Sequence, residues 1–310
     1  MSNEQNKNLC EPMRSVSVAL LMLAAPCGEA TPLEELSVSR EPTLDVHVQD
    51  NQSAAQTPRL WRSVTLNQGA TQQDYRETDP FGRVNPLNIE TGSVPTTELI
   101  LRWRGQAVAA LPEFVLQANV SYAQGQTDYN GYLQQGITLT PYSARTGNTL
   151  QALSLRIGLP LNALTRQPWA QHIAPYAEQG WHRWQRKLVQ YGETFDWQTT
   201  TLGVMAVWPL AELGLPQLVD YTLEVDLSVG RSRNPRIEAP AMGFAAELGE
   251  TGLQSATLAL HYAVTPAWLL GIRYATQRST FGASASVGGL QYPGSSNGEQ
   301  NLAIGLGYHF

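Results

Sequence analysis

The chain has 310 residues, 15% of them charged, and a formal net charge of −6. That balance excludes a nucleic-acid binder, which needs a basic stripe. A mean hydropathy of −0.24 excludes a bundle of membrane helices but not a barrel with a polar lumen. Tyr (12) and Trp (8) outnumber Phe (6), and both suit a membrane–water interface.

The N-terminal region reads as an export segment. Arg14 precedes an apolar run over residues 15–25, the length of a secretory h-region and too short to cross a bilayer as a helix. Residues 1–12 are polar and foreign to such a peptide, so Met13 is the expected start of translation within a signal peptide of residues 1–30. Small residues offer cleavage before Thr31 or near Cys27. Residues 23–27 also resemble a lipoprotein box, with Pro26 where a small residue is expected. Cys10 and Cys27 both precede the expected mature chain, leaving it without a disulfide or a thiolate metal site. Residues 31–58, rich in Glu, Ser, Gln, Pro and Asp, are expected to form a disordered periplasmic tail, with residues 43–48 as a short strand.

From residue 59 onward the hydrophobic pattern has a period of two, which places alternate side chains on opposite faces of a strand. A first strand is expected over 60–71, with Val64 and Leu66 outward. Leu99, Leu101 and Trp103 then oppose Ile100, Arg102 and Arg104, and Leu116, Ala118, Val120 and Tyr122 oppose Gln117, Asn119 and Ser121. Leu153, Leu155, Ile157 and Leu159 oppose Ser154, Arg156 and Gly158. Residues 175–185 and 199–210 alternate less cleanly. Tyr221, Leu223, Val225, Leu227 and Val229 oppose Thr222, Glu224, Asp226 and Ser228. Leu258, Leu260, Tyr262 and Val264 follow, then Trp268, Leu270, Ile272 and Tyr274, and last Leu302, Ile304, Leu306, Tyr308 and Phe310. About ten strands, an even number, predict an all-β fold: a closed antiparallel up-and-down transmembrane β-barrel over 59–310.

The ending resembles the C-terminal signature of small bacterial outer-membrane β-barrels, in which a terminal Phe after alternating apolar residues is read by the assembly machinery. Tyr308 and Phe310 would supply that signal here. The stretches 176–184 and 193–197 also look like the aromatic-rich hairpin of such proteins. The resemblance implies a Gram-negative outer-membrane location and a monomer with both termini periplasmic. The Pro-centred connections at 111–112, 159–162, 209–216 and 265–266 would be periplasmic turns. The polar stretches 231–250 and 279–300 would be long extracellular loops.

The expected lumen carries Arg102, Arg104, Arg156, Glu178, His182, Glu224, Asp226, His261 and Arg273. Ions in a narrow barrel must be paired or hydrated, so the favoured reading is a salt-bridge network that plugs the lumen. The alternative is a narrow, porin-like pore for ions or small solutes, its selectivity set by the balance of these charges. Ten strands with an extracellular rim also invite comparison with the omptin proteases, which use acidic residues and an Asp–His pair near that rim. Asp74, Asp79, Asp128, Asp196 and His182 could lie there, but no strand His has an Asp two residues away on its face. His182 reads as a hydrogen-bonded interfacial residue. No catalytic set, metal-ligand spacing or cofactor motif is found. The expected role is therefore a non-enzymatic surface protein whose loops make contacts, with Arg231, Arg233 and Arg236 meeting phosphate or sulfate groups. Its expected partners are outer-membrane lipid, lipopolysaccharide and the assembly machinery.

Overall fold

A computed structural model describes residues 59–106, 112–135, 138–188, 191–249, 252–288 and 290–310. The expected signal peptide with Met13, both cysteines and the tail lie outside the described residues. The strands are β1 (Ser63–Glu77), β2 (Asn88–Gly105), β3 (Phe114–Gln135), β4 (Thr138–Gly158), β5 (Ile173–Leu188), β6 (Tyr191–Pro209), β7 (Tyr221–Ala239), β8 (Phe244–Glu247), β9 (Gly252–Ala263), β10 (Trp268–Phe281) and β11 (Ser295–His309). Every strand except β8 pairs antiparallel with a neighbour on each side, and the ring closes through β1–β11 and β6–β7. Short β8 pairs only with the far end of β7. The chain is thus a closed antiparallel up-and-down barrel of ten strands, as its alternation predicts.

The alternation settles which side of the wall each residue takes. One row runs through the register as Tyr221, Tyr262, Leu270, Leu306, Leu66, Leu99, Val120, Leu153 and Trp181. Its members point outward, for example Leu306 at 52% and Val120 at 50% exposure. Water would not leave such a row uncovered, whereas hydrocarbon solvates it. On β11 the outward series runs from Leu302 to Phe310, roughly 27 Å of strand, or about 21 Å of height at a tilt of about 40°. That matches the apolar band of a membrane-spanning barrel.

We call the end holding Ser63 and His309 proximal, since those residues pair across the seam, and the other end distal. The strands extend further distally than the hydrophobic pattern indicates. Strands β3 and β4 reach 22 and 21 residues, and residues 136–137 and 189–190 are all that separate β3 from β4 and β5 from β6. The expected long distal loops are corrected accordingly. Residues 231–239 continue β7, 279–281 end β10 and 295–300 begin β11, so the expected loops at 231–250 and 279–300 are shortened by these strand residues and the first of them carries β8. The first strand also shifts: Arg59–Trp61 is a 3-10 turn and β1 starts at Ser63.

Candidate functional site

The inward face is polar in the middle and capped by bulky groups at both ends. At the proximal end the turn Arg59–Trp61 folds into the barrel mouth. The Ser63 hydroxyl donates to the Leu60 carbonyl at 2.9 Å, and Leu60 and Trp61 are buried against Val115, Tyr176, Met205 and Leu269. Arg104 lies over the Trp61 ring at 5.4 Å and donates to Glu113 at 2.7 Å and to the Gln171 carbonyl at 2.6 Å. His172 closes the same end through Glu212 at 2.8 Å.

Above this lid the charges of β2, β4 and β7 meet. Period two places Glu224 and Asp226 on the same face of β7. Arg102 on β2 holds Glu224 through 3.0 and 2.5 Å bonds and takes Gln117 at 2.7 Å. In the ring order β2 stands five strands from β7, so this pair is a strut across the full diameter. His261 meets Glu224 at 3.0 Å. Arg156 on β4 donates to Glu178 at 2.9 Å and to Asp226, and stacks on Tyr176 at 3.7 Å. The Tyr176 hydroxyl donates to Asp226. Arg273 meets Glu98 at 3.2 Å, and Asn67 donates to the same carboxylate at 3.0 Å. Of these groups Glu98, Arg102, Gln117, Arg156, Glu178, Glu224, Asp226 and Arg273 line a chamber of ≈ 210 Å³.

The distal lid is built on Arg186. Its guanidinium donates to Glu90 at 3.1 and 2.7 Å, to Glu193 at 2.8 Å, to Glu77 at 3.4 Å and to the Tyr292 hydroxyl at 3.2 Å. It sits 4.6 Å from the Tyr75 ring centre and 5.2 Å from that of Trp184. Tyr75, Trp184 and Phe195 interlock at 5.0 to 6.5 Å between centroids, and Trp197 meets Phe281 edge-on at 5.4 Å. Thr127 and Asn148 complete the shell of Glu90.

The charged residues singled out by alternation therefore all face the lumen, though with partners the sequence does not name: Glu113 for Arg104 and Glu98 for Arg273. The sequence does not mark the distal lid as a site, although Trp184, Glu193, Phe195 and Trp197 fall in the aromatic-rich stretches 176–184 and 193–197. Its signal lies in phase rather than hydropathy, since Glu77 continues the inward series of Thr65, Asn67 and Thr71, and Arg186 continues that of Glu178, His182 and Trp184.

Other expectations need correction. His182 is not interfacial: it faces inward, stacks on Trp197 at 5.0 Å and meets the Thr199 hydroxyl at 3.1 Å. Among the described residues no carboxylate bonds to it. Asp74, Asp128 and Asp196 lie in the distal halves of β1, β3 and β6, each with its own arginine. They pair with Arg76 at 2.9 Å, Arg145 at 3.5 Å and Arg183 at 2.7 Å. Asp79 is enclosed in the 78–87 loop by Arg83 at 3.0 Å. Arg231, Arg233 and Arg236 belong to a strand, not a loop, and Arg236 is already paired with Glu238 at 2.9 Å. Tyr308 and Phe310 point outward at 45% and 54% exposure. Among the described residues no cluster of three or more acidic, His or Cys side chains could hold a metal ion.

No protein-family model matches the chain, and no curated protein matches it either. Among solved structures it is similar to the outer membrane protease OmpT from Escherichia coli, at 12% identity over 80% of this chain and 95% of that one, with a TM-score of 0.47. It is similar also to the transport unit of the autotransporter AIDA-I from Escherichia coli, at 10% identity over 86% and 94%, with a TM-score of 0.42. Neisserial surface protein A follows at 11% identity over 80% and 97%, with a TM-score of 0.27. At these scores and identities the likenesses say nothing of what the residues of this barrel do.

Proposed function

We propose that the protein is a non-conducting, non-enzymatic barrel of the bacterial outer membrane, a monomer that presents a rigid distal collar to the cell surface. The observation that carries this reading is the lumen. It is crossed by buried Arg–carboxylate struts and closed at both ends by packed aromatic lids. Unpaired ions would be costly in such an interior, so the struts hold the wall together, and the two lids close the water path. The apolar belt supports the bilayer placement, and the outward Tyr308 and Phe310 support a role for the last strand as the segment the assembly machinery reads. Both termini then lie in the periplasm, and the outward-facing distal strand halves, together with the loops, offer the contact surface to lipopolysaccharide or to other partners.

Planar-bilayer recording of the purified barrel tests the reading. No steady conductance is expected; a large, stable one would replace the plug with a pore. Orientation is read separately with a protease site. Inserted at 282–294 it should be cut on intact cells, and inserted at 210–220 it should be protected.

A further inference from the structure

The outer wall of β6, β7, β9 and β10 departs from the rest of the belt. In the row of Leu66, Leu99, Val120 and Leu153 large side chains sit shoulder to shoulder, and the small Ala118 lies between Leu101 and Leu155. On these four strands Leu227 is followed in register by Ala256 and Thr276, and Val229 by Gln254 and Arg278. The small Ala256 sinks the surface and leaves a recess of ≈ 730 Å³ bounded on one side by Leu202, Val204, Leu227 and Val229. Leu202 and Val229 are left at 64% and 62% exposure.

The distal rim of this recess is basic. Arg278 lines it. Arg231 stands one outward position beyond Val229, opposite Gly252 and Thr200, and Arg233 follows opposite Gln198. Among the described residues none of these three has an ion-pair partner. The exposed Arg76, Arg145, Arg183 and Arg236, in contrast, each hold a carboxylate within 3.5 Å. Among the described residues Arg62 and Arg166 also lack a counter-anion but lie at the proximal end; in the distal half the described arginines without one are neighbours, and they stand where the apolar wall ends. Guanidinium groups match phosphate oxygens in fork geometry, and a trough of Leu, Val and Ala matches hydrocarbon.

From this arrangement we infer that the wall of β6, β7, β9 and β10 binds one phosphorylated, acylated lipid of the distal leaflet. An acyl chain runs along Leu227 and Ala256, and the headgroup phosphate is held by Arg231, Arg233 and Arg278. The inference rests on the bilayer placement above, whose own failure would show as barrel that stays soluble without detergent.

Native mass spectrometry of the detergent-solubilised barrel, titrated with diphosphorylated hexa-acylated lipid A, tests it. A one-to-one adduct is expected. The triple variant R231A/R233A/R278A should bind at least about tenfold more weakly, and Ala256→Phe, which fills the trough, should also weaken binding. Dephosphorylated lipid A should bind the parent weakly, and R145A/R183A, which removes two paired arginines, should bind as the parent does. All of these positions face outward, so heat-shifted migration on gels confirms that each variant is folded. Equal retention by the triple variant and the parent would overturn the proposal, as would equal loss in R145A/R183A. An unchanged Ala256→Phe, or inorganic phosphate competing at the lipid's own concentration, would reduce the site to an anion patch and overturn the lipid.

Discussion

At the scale of single residues, the barrel uses one chemistry in two dielectric settings, and the outcomes differ. The Asp128–Arg145 pair stands in water, with both side chains about two-thirds exposed at 67% and 71%. Asp128→Ala should therefore change stability by less than about 1 kcal/mol. Glu224 and Asp226 sit inside, holding Arg102, His261 and Arg156. Replacing both acids with Ala leaves Arg102 with no carboxylate and Arg156 with Glu178 alone, at a cost of about 3–5 kcal/mol for the broken Arg102–Glu224 pair. Urea unfolding in lipid vesicles compares the two variants directly, and a double variant no less stable than Asp128→Ala would mean the lumen is wet enough to hydrate its arginines. Asp79 gives a third setting. Bonds from the Arg83 side chain, and from the backbone amides of Arg83 and Phe81, hold its carboxyl well below the usual carboxylate range. A depressed folded-state pKa contributes stability that is present above the unfolded pKa, about 4, and fades as the pH falls towards the folded value. Amide protection in the 78–87 loop should therefore be level from neutral pH down to about 4 and drop below it. Asp79→Asn should lower it at every pH and abolish the dependence, as hydrogen exchange followed against pH would show.

At the scale of the strand, closure depends on two backbones approaching at one seam. Gly69 on β1 faces β11, where an added Cβ would lie 2.1 Å from the Leu302 carbonyl oxygen and 2.6 Å from the Ala303 Cα. Backbone cannot swing aside as a side chain can, so Gly69→Val must push β1 from β11. The folded, fast-migrating fraction on unboiled gels should fall sharply. Gly147→Ala, whose Cβ would meet nothing nearer than 3.9 Å, should leave it unchanged. The same strands show what the sequence made legible. Within the belt, lipid on one side and a polar lumen on the other impose strict alternation, and there the strands, their faces and the inward charges can be read directly. Beyond Tyr122, Trp181 and Tyr274 the outer face meets water. In the run of β3 from Gln124 to Asn130 both faces are largely polar, so the periodic signal fades although the hydrogen-bonded ladder continues. The distal lid and the length of β7 were hidden for that reason. The turn at Leu60 and Trp61 was hidden because an apolar pair directly before a strand looks like the strand itself.

At the scale of the whole molecule, the two lids and the chamber between them act in series, and a series barrier makes a sharper demand than a single gate. Ions crossing the barrel would have to pass the Leu60–Trp61 lid, the chamber and the Tyr75–Trp184–Arg186 lid in turn. Removing one lid leaves the other intact, so Leu60→Gly with Trp61→Gly should remain non-conducting in a planar bilayer, as should Tyr75→Ala with Trp184→Ala. Only the four changes together should open a steady conductance, in a barrel whose heat-shifted migration shows that it still folds. Its selectivity follows from the chamber wall, where the carboxylates of Glu98, Glu178, Glu224, Asp226 and Glu299 outnumber the guanidiniums of Arg102, Arg156 and Arg273 five to three. Cations should therefore be preferred, and the reversal potential under a salt gradient gives the sign. A conductance from either pair alone would show that one lid does all the sealing. Anion preference in the combined variant would show that the struts had broken and released their arginines to the water path.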